Sequence, residues 1–139
     1  MTEAKRKALA GPSGSLSSFR WIVVNSSGGK DSQAALRAAV RACDAEGVDR
    51  SRIVVSHQCL GEIEWPGTLD LVKRHAVAYG LRLEVSRYRD QSGGEGSLLD
   101  YVRKRRKWPS SQQRFCTSEF KRGPGGRVLV MLHREAPGR

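Results

Sequence analysis

The 139-residue chain has few cysteines, few aromatic residues and no long apolar run. Its three cysteines, Cys43, Cys59 and Cys116, are odd in number and widely spaced. This argues against a disulfide framework and favours a reducing, cytoplasmic location. No Cys-x-x-Cys pair occurs, and no cysteine–histidine cluster has zinc spacing. Because no stretch of about 18 apolar residues occurs, we expect no transmembrane helix and no membrane partner.

Acidic residues are also scarce, with 14 Asp and Glu against 25 Lys and Arg. The net charge of +11 predicts attraction to polyanions, such as a nucleotide, a nucleic acid or an acidic partner. Residues 1–18 are basic and rich in Gly and Ser, without the apolar segment of a secretory signal, and we expect a flexible basic tail. Residues 19–136 are long enough for one domain with its own core.

Apolar patterning along the chain alternates between strands and helices. Strands are predicted at 21–25, 53–57 and 82–88, and helices at 31–46, 68–79, 97–107 and 125–135. This alternation predicts an α/β fold with a parallel sheet and right-handed crossovers. Ligands of such folds bind at the carboxyl edge of the strands, where the loops after residues 25, 57 and 88 meet. Cys43 falls on the first predicted helix and is expected in the core, and Trp65 is expected to plug the sheet edge.

The first of these loops carries the most informative motif, Ser27-Gly28-Gly29-Lys30-Asp31-Ser32. A glycine-rich turn between a strand and a helix aims backbone N–H groups at an anion. The serine hydroxyls are further donors, and Lys30 adds positive charge. Asp31 could help to bind Mg²⁺ with nucleotide phosphates, or could simply favour the first turn of the helix. The motif is not a Walker P-loop, because the position that needs a glycine holds Val24.

A second polar segment runs from Phe115 to Pro124. Thr117, Lys121 and Arg122 are possible anion contacts, and Gly123-Pro124 can open the last helix. Cys116 and Lys121 are the candidates for a catalytic role. Cys116 would be a nucleophile if the nearby cations lowered its pKa, and the alternative is an inert, partly buried thiol.

Ser27–Ser32 resembles the PP-loop of the adenine nucleotide alpha hydrolase-like superfamily. Together with Gly61–Thr68 and Cys116–Pro124, it makes residues 20–135 resemble the phosphoadenylylsulfate (PAPS) reductase family. The resemblance implies a Rossmann-like three-layer α/β sandwich that binds an adenylyl nucleotide, ATP or PAPS. It also implies sulfur transfer or reduction, with a thioredoxin-like reductant as a possible partner.

Site residues follow from the same resemblance. The phosphate or sulfate end would be held by Ser27, Gly28, Gly29, Asp31 and Ser32, with Lys30 adding charge. The backbone around Ser56 and His57 would lie near the adenine. Lys121 and Arg122 match the basic part of the family's second motif.

The chain departs from the family pattern in two places. The Glu-Cys-Gly-like motif that carries the reductase nucleophile is not found, and the family's strand after the last helix has no counterpart before Arg139. We therefore expect an N-terminal part of the fold, without its C-terminal strands. Because Cys116 is followed by Thr117 rather than by a second cysteine, no iron–sulfur cluster is expected.

Alternatives remain open at this stage. The basic run Arg103–Lys107, with Trp108 beside it, could contact a nucleic acid. The chain would then be an ATP-dependent enzyme that modifies tRNA or DNA with sulfur. A third possibility is a non-catalytic nucleotide-binding protein. His57 could be a general acid or base, or a packing residue; Glu62 and Glu64 could approach a ribose or a metal, or remain solvated.

Overall fold

The computed structural model describes residues 14–136. The strands are β1 (Ile22–Asn25), β2 (Ile53–Cys59) and β3 (Arg82–Arg87). The helices are α1 (Lys30–Ala45), α2 (Thr68–Tyr79), α3 (Leu98–Arg105) and α4 (Gly123–Glu135). A helical turn, Phe115–Thr117, and a π-helical turn, Ser118–Arg122, lead directly into α4. The predicted alternation of strands and helices is therefore confirmed.

All three strands are parallel, and β2 lies between β1 and β3. Val55 of β2 is level with Val24 of β1 and with Leu83 of β3. The central strand is buried along almost its whole length, as parallel strands covered on both faces are. This arrangement confirms an α/β fold with a parallel sheet flanked by helices, consistent with a Rossmann-like architecture.

One face of the sheet is covered by α1 and α2. Leu36 and Val40 of α1 and Val72 of α2 pack with Val55 of β2 in the main hydrophobic core. Small residues such as Ala39 lie on the side of α1 that approaches this core. The packing fixes the N-terminus of α1 at the carboxyl edge of the sheet, immediately after β1.

Helix α4 covers the other face of the sheet. Val128 and Leu132 pack against Val54, which points away from the main core because side chains alternate along a strand. At the far end of α4, Glu135 forms an ion pair of 2.6 Å with Arg82 at the start of β3. The helix is thus fixed to the sheet along its length.

A third cluster lies around α3 and the turns before α4. Phe120 is fully buried and stacks on Tyr88 with 4.5 Å between ring centroids, and it also meets Tyr101 edge-on at 5.3 Å. Burial raises the pKa of the Tyr88 hydroxyl. Because Phe120 precedes Lys121 and Arg122, this aromatic cluster sets where those two cations lie.

Several boundaries differ from the predicted ones. Strand β2 continues to Cys59, because Gln58 and Cys59 still pair with Ser86 and Arg87 of β3. Helix α2 begins at Thr68, as predicted, and its N-cap is Gly67 rather than a side chain with a hydroxyl group. Helix α3 ends at Arg105 rather than Lys107, because Arg106 adopts a left-handed conformation with φ of 52°.

Residues 1–13 of the expected flexible tail lie outside the described residues. The remainder of that segment is folded against α1. Leu16–Ser18 forms a 3₁₀ turn, and the Glu46 carboxylate accepts hydrogen bonds from the Ser15 hydroxyl and the Leu16 N–H. Among residues 14–136, no helix is both long and apolar enough to cross a lipid bilayer.

Candidate functional site

The Ser27–Ser32 loop connects β1 to α1 at the carboxyl edge of the sheet, as predicted. Its start is fixed by a hydrogen bond of 2.8 Å from the Ser26 N–H to the carbonyl oxygen of Ser56 on β2. Ser32 turns its hydroxyl back to the Gly29 carbonyl at 2.9 Å. The loop is therefore bound both to the sheet and to the first turn of the helix.

Gly28 is the tightest point of the loop. Its φ of +77° lies in the left-handed region that side chains disfavour. A Cβ built there would lie 3.3 Å from Cγ2 of Thr68 and 3.4 Å from Cγ2 of Val72, both on α2. Glycine is thus required both by the backbone conformation and by the close approach of α2.

The N-terminus of α1 has no side-chain cap. Its N-cap residue is Gly29, so the N–H groups of the first turn receive no cap from that position. Such N–H groups, at the positive end of the helix dipole, are donors for an anion. Lys30 and Asp31 lie on this exposed first turn. Neither residue lines the cavity that opens beside the loop. The structure therefore gives no support for Asp31 as a metal ligand.

A cavity of about 360 Å³ opens beside the loop. It is bounded by the loop on one side and by the ends of β2 and the segment after it on the other. Its lining includes Ser26, Ser27, Ser32, His57, Gln58, Glu64, Trp65, Thr68 and Lys121. The cavity thus combines hydroxyl groups, one lysine, one carboxylate and one aromatic ring.

A second cavity of about 580 Å³ lies on the α4 side of the sheet edge. Ser56, Lys121, Arg122 and Gly125 line it. Lys121 therefore borders both cavities, whereas Arg122 borders only the second. Lys121 and Arg122, predicted together as anion contacts, both lie at the sheet edge, on the α4 side rather than the α1 side.

Ser56 and His57 lie on opposite faces of β2, because they are neighbours on one strand. Ser56 belongs to the second cavity, and its hydroxyl accepts a hydrogen bond of 2.8 Å from Gln58. His57 belongs to the first cavity, and its Nδ1 lies 2.8 Å from the Ser26 carbonyl oxygen. The predicted pair is thus at the edge but serves two separate spaces.

Cys116 is not among the residues that line either cavity. Its side chain packs with the aromatic cluster, and its Sγ lies 4.0 Å from the Thr117 hydroxyl. This geometry favours the inert-thiol interpretation. Cys43 lies on α1 and is fully buried, and burial raises the pKa of its thiol. The core role expected for Cys43 is confirmed.

Some lining residues were missed in the sequence. Asn25 is the last residue of β1 and Gln58 is the penultimate residue of β2. The Gln58 amide nitrogen lies 3.4 Å from the Asn25 amide oxygen. The available signal was a polar residue at the end of the first predicted strand and another directly after the second. Trp65, expected as a plug over the sheet edge, is instead 86% exposed at the rim of the first cavity.

Comparisons of this chain with protein-family models, with curated proteins and with solved structures give no match.

Proposed function

We propose that this chain binds an adenylyl nucleotide, PAPS or ATP, at the Ser27–Ser32 loop and takes part in sulfur transfer or reduction on such a compound. The observation that carries the proposal is the loop itself. It places an uncapped helix N-terminus, Ser27 and Ser32 at the edge of a cavity that also holds Lys121. Helix N–H groups, hydroxyls and a cation are the donors that a phosphate or sulfate requires.

The size and lining of the cavity support a nucleotide. A volume of about 360 Å³ falls in the range of small-ligand sites. The second cavity is its neighbour, since Asn25, Gln58 and Lys121 line both. Trp65 offers an exposed ring at the rim, which is suited to stacking on a purine. The net charge of +11 further favours an anionic ligand.

Lys121 and the loop approach the same cavity from different elements. Lys121 is held by the π-helical turn before α4, whereas the loop is held by β1 and α1. A polyphosphate or phosphosulfate between them would be held electrostatically on both sides. In the proposed reaction, the chain's own groups bind and orient the anionic end, and the thioredoxin-like reductant would supply electrons to the sulfur.

Calorimetric titration with Mg-ATP and, separately, with PAPS tests this proposal. We expect saturable binding that Lys30→Ala reduces, because this change removes a positive charge at the helix N-terminus beside the proposed site. Lys121→Ala should weaken binding by about 10- to 100-fold, because a hydrogen bond to a charged group contributes about 1.5–3 kcal/mol. Lys73→Ala, a matched change on the exposed face of α2, should leave binding unchanged. A well-folded wild-type chain that binds neither nucleotide contradicts the proposal.

A second candidate is ATP-dependent sulfur modification of tRNA or DNA. The observation that favours it is an exposed basic surface at the end of α3 with an exposed tryptophan beside it. Trp108 is 60% exposed beside the run Arg103–Lys107, and Arg105 lies over the Phe115 ring at 4.8 Å. This candidate predicts release of AMP and pyrophosphate from ATP, and RNA or DNA binding that weakens steeply with salt. A chain that binds PAPS more tightly than ATP, and that releases no AMP from ATP, favours the first candidate.

A further inference from the structure

The side chains of His57, Cys59 and Glu64 meet at the wall of the first cavity, and the proposed nucleotide site does not use them together. Their potential ligand atoms all lie within 4.8 Å of one another. His57 and Cys59 are two residues apart on β2 and therefore lie on the same face of the sheet. Glu64 returns to them after the short 3₁₀ turn Gly61–Ile63.

The turn that returns Glu64 depends on Gly61. Gly61 has φ of +79°, and a Cβ there would lie 2.8 Å from Cβ of Ser97. Only glycine can therefore form this turn against the N-cap of α3 without a shift of the backbone. The three side chains are consequently brought together by fixed parts of the fold, a central strand and a tightly packed turn.

The orientation of His57 is that of a metal ligand. Its Nδ1 lies 2.8 Å from the Ser26 carbonyl, and because a carbonyl only accepts, Nδ1 carries the hydrogen. In the neutral ring, Nε2 then presents a lone pair. That atom is buried in a side chain 1% exposed and has no hydrogen-bond partner among residues 14–136. Histidines that bind metals almost always donate their other N–H in this way.

Glu64 does not remove the need for a partner at Nε2. Its Oε1 lies 3.4 Å away, an approach that does not meet the geometry of a hydrogen bond. Buried polar atoms without partners are few in folded proteins, and each requires an explanation such as an ion. A cation between the imidazole, the thiol and the carboxylate would satisfy all three groups.

We propose that His57 Nε2, Cys59 Sγ and a Glu64 carboxylate oxygen bind a Zn²⁺ ion. One nitrogen, one sulfur and one oxygen ligand form a set that zinc accepts and that Mg²⁺ and Ca²⁺ do not. Tetrahedral zinc with bonds of about 2.0–2.3 Å places its ligand atoms about 3.3–3.8 Å apart. The Nε2–Oε1 distance of 3.4 Å is already in that range.

The fourth zinc position would face the first cavity, because His57 and Glu64 both line that space. Three protein ligands with one open position are typical of zinc that binds an exchangeable ligand. The ligand class is a water molecule, a thiolate or an anionic oxygen of a bound compound. The sequence alone does not mark the site, since His-x-Cys followed five residues later by Glu is not a zinc-finger spacing. The site does not depend on nucleotide binding.

The test uses the whole chain, stripped with a chelator and loaded with Zn²⁺ or Co²⁺ in the absence of nucleotide. We expect one tightly bound Zn²⁺ per chain, and a thiolate-to-cobalt charge-transfer band in the near ultraviolet. Cys59→Ser should abolish that band and weaken Zn²⁺ binding by more than about tenfold, the lower limit for loss of an outer-shell group. Cys116→Ser should preserve both, because Cys116 packs in the aromatic cluster.

Paired carboxylate variants complete the design. Glu64→Gln should weaken Zn²⁺ binding, whereas Glu62→Gln, on the exposed side of the same turn, should not. Circular dichroism of each variant separates loss of metal from loss of fold. A folded wild-type chain that retains no Zn²⁺ overturns the site. A cobalt band that survives Cys59→Ser also overturns it. Neither result affects the nucleotide proposal.

Discussion

Gly28 and Thr68 lie so close that a side chain at Gly28 would come within 3.3 Å of the Thr68 methyl group. This contact locks the Ser27–Ser32 loop against α2, so the loop is held from both α1 and α2. The backbone N–H groups that the proposed ligand needs are therefore positioned before any ligand binds. Preorganised donors of this kind lose little entropy when an anion arrives.

Gly28→Ala should lower the free energy of unfolding by about 1–3 kcal/mol, because it combines backbone strain with a close contact. Gly47→Ala is the matched control, since Gly47 has φ of +66° but nothing within 4 Å of the place its Cβ would take. Urea denaturation of both variants separates the two causes. Equal losses of stability would mean that the approach of α2 is unimportant.

Phe120 connects the aromatic core to the cations of the site. Phe120→Leu should destabilise the chain by about 1–2 kcal/mol, since it removes part of a fully buried ring stacked on Tyr88. It should also weaken nucleotide binding, because Lys121 follows directly in sequence. Phe19→Leu, a matched change outside this cluster, should leave nucleotide affinity unaltered. Unfolding curves and calorimetry check both effects, and unchanged affinity in Phe120→Leu would refute the positioning role.

The two exposed tryptophans distinguish the two candidate functions. Trp65 is at the rim of the first cavity, and Trp108 adjoins the basic run at the end of α3. Trp65→Ala should reduce nucleotide affinity by about 5- to 100-fold, as expected for loss of a stacked base. Trp108→Ala should not change it. If Trp65→Ala leaves nucleotide affinity unchanged while Trp108→Ala weakens RNA or DNA binding, the results favour the nucleic-acid candidate over the first one.

The ion pair between Glu135 and Arg82 predicts a pH-dependent contribution to stability. The hydrogen bonds from Arg82 hold the pKa of the Glu135 carboxyl below its ordinary value. A carboxyl with a lowered folded-state pKa stabilises the fold above its unfolded pKa, about 4.3, and loses this effect as the pH falls through the folded value.

Glu135→Gln should therefore lower the unfolding temperature at neutral pH, and the difference from wild type should vanish in strong acid. Glu95→Gln, at an exposed position, serves as the matched control. Thermal unfolding across the acidic range provides the measurement. A difference that persists unchanged in strong acid would show that the pair contributes nothing through charge.

The fold was largely readable from the sequence, because its strands and helices follow strong local signals. The apolar run 21–24 predicted the first strand, the alternation of strands and helices predicted a parallel sheet, and the structure confirms both. The end of α3 was misjudged because basic residues continue the helical pattern beyond Arg105, while Arg106 leaves it.

The candidate site was only partly readable. The loop Ser27–Ser32 is contiguous in sequence, so its motif and position could be predicted together. The grouping of His57, Cys59 and Glu64 could not, because it depends on which face of β2 points toward the cavity and on the turn at Gly61. Local patterns reveal a loop motif, whereas side chains from separate elements meet only through tertiary packing.

The most direct test of the nucleotide proposal is an amide NMR titration of the isotope-labelled chain with PAPS and with Mg-ATP. We expect the largest chemical-shift changes at the backbone N–H groups of residues 27–32 and of Lys121, because these residues border the first cavity or the helix N-terminus beside it. Saturation with no change at the loop, or changes confined to residues 103–108, would contradict it.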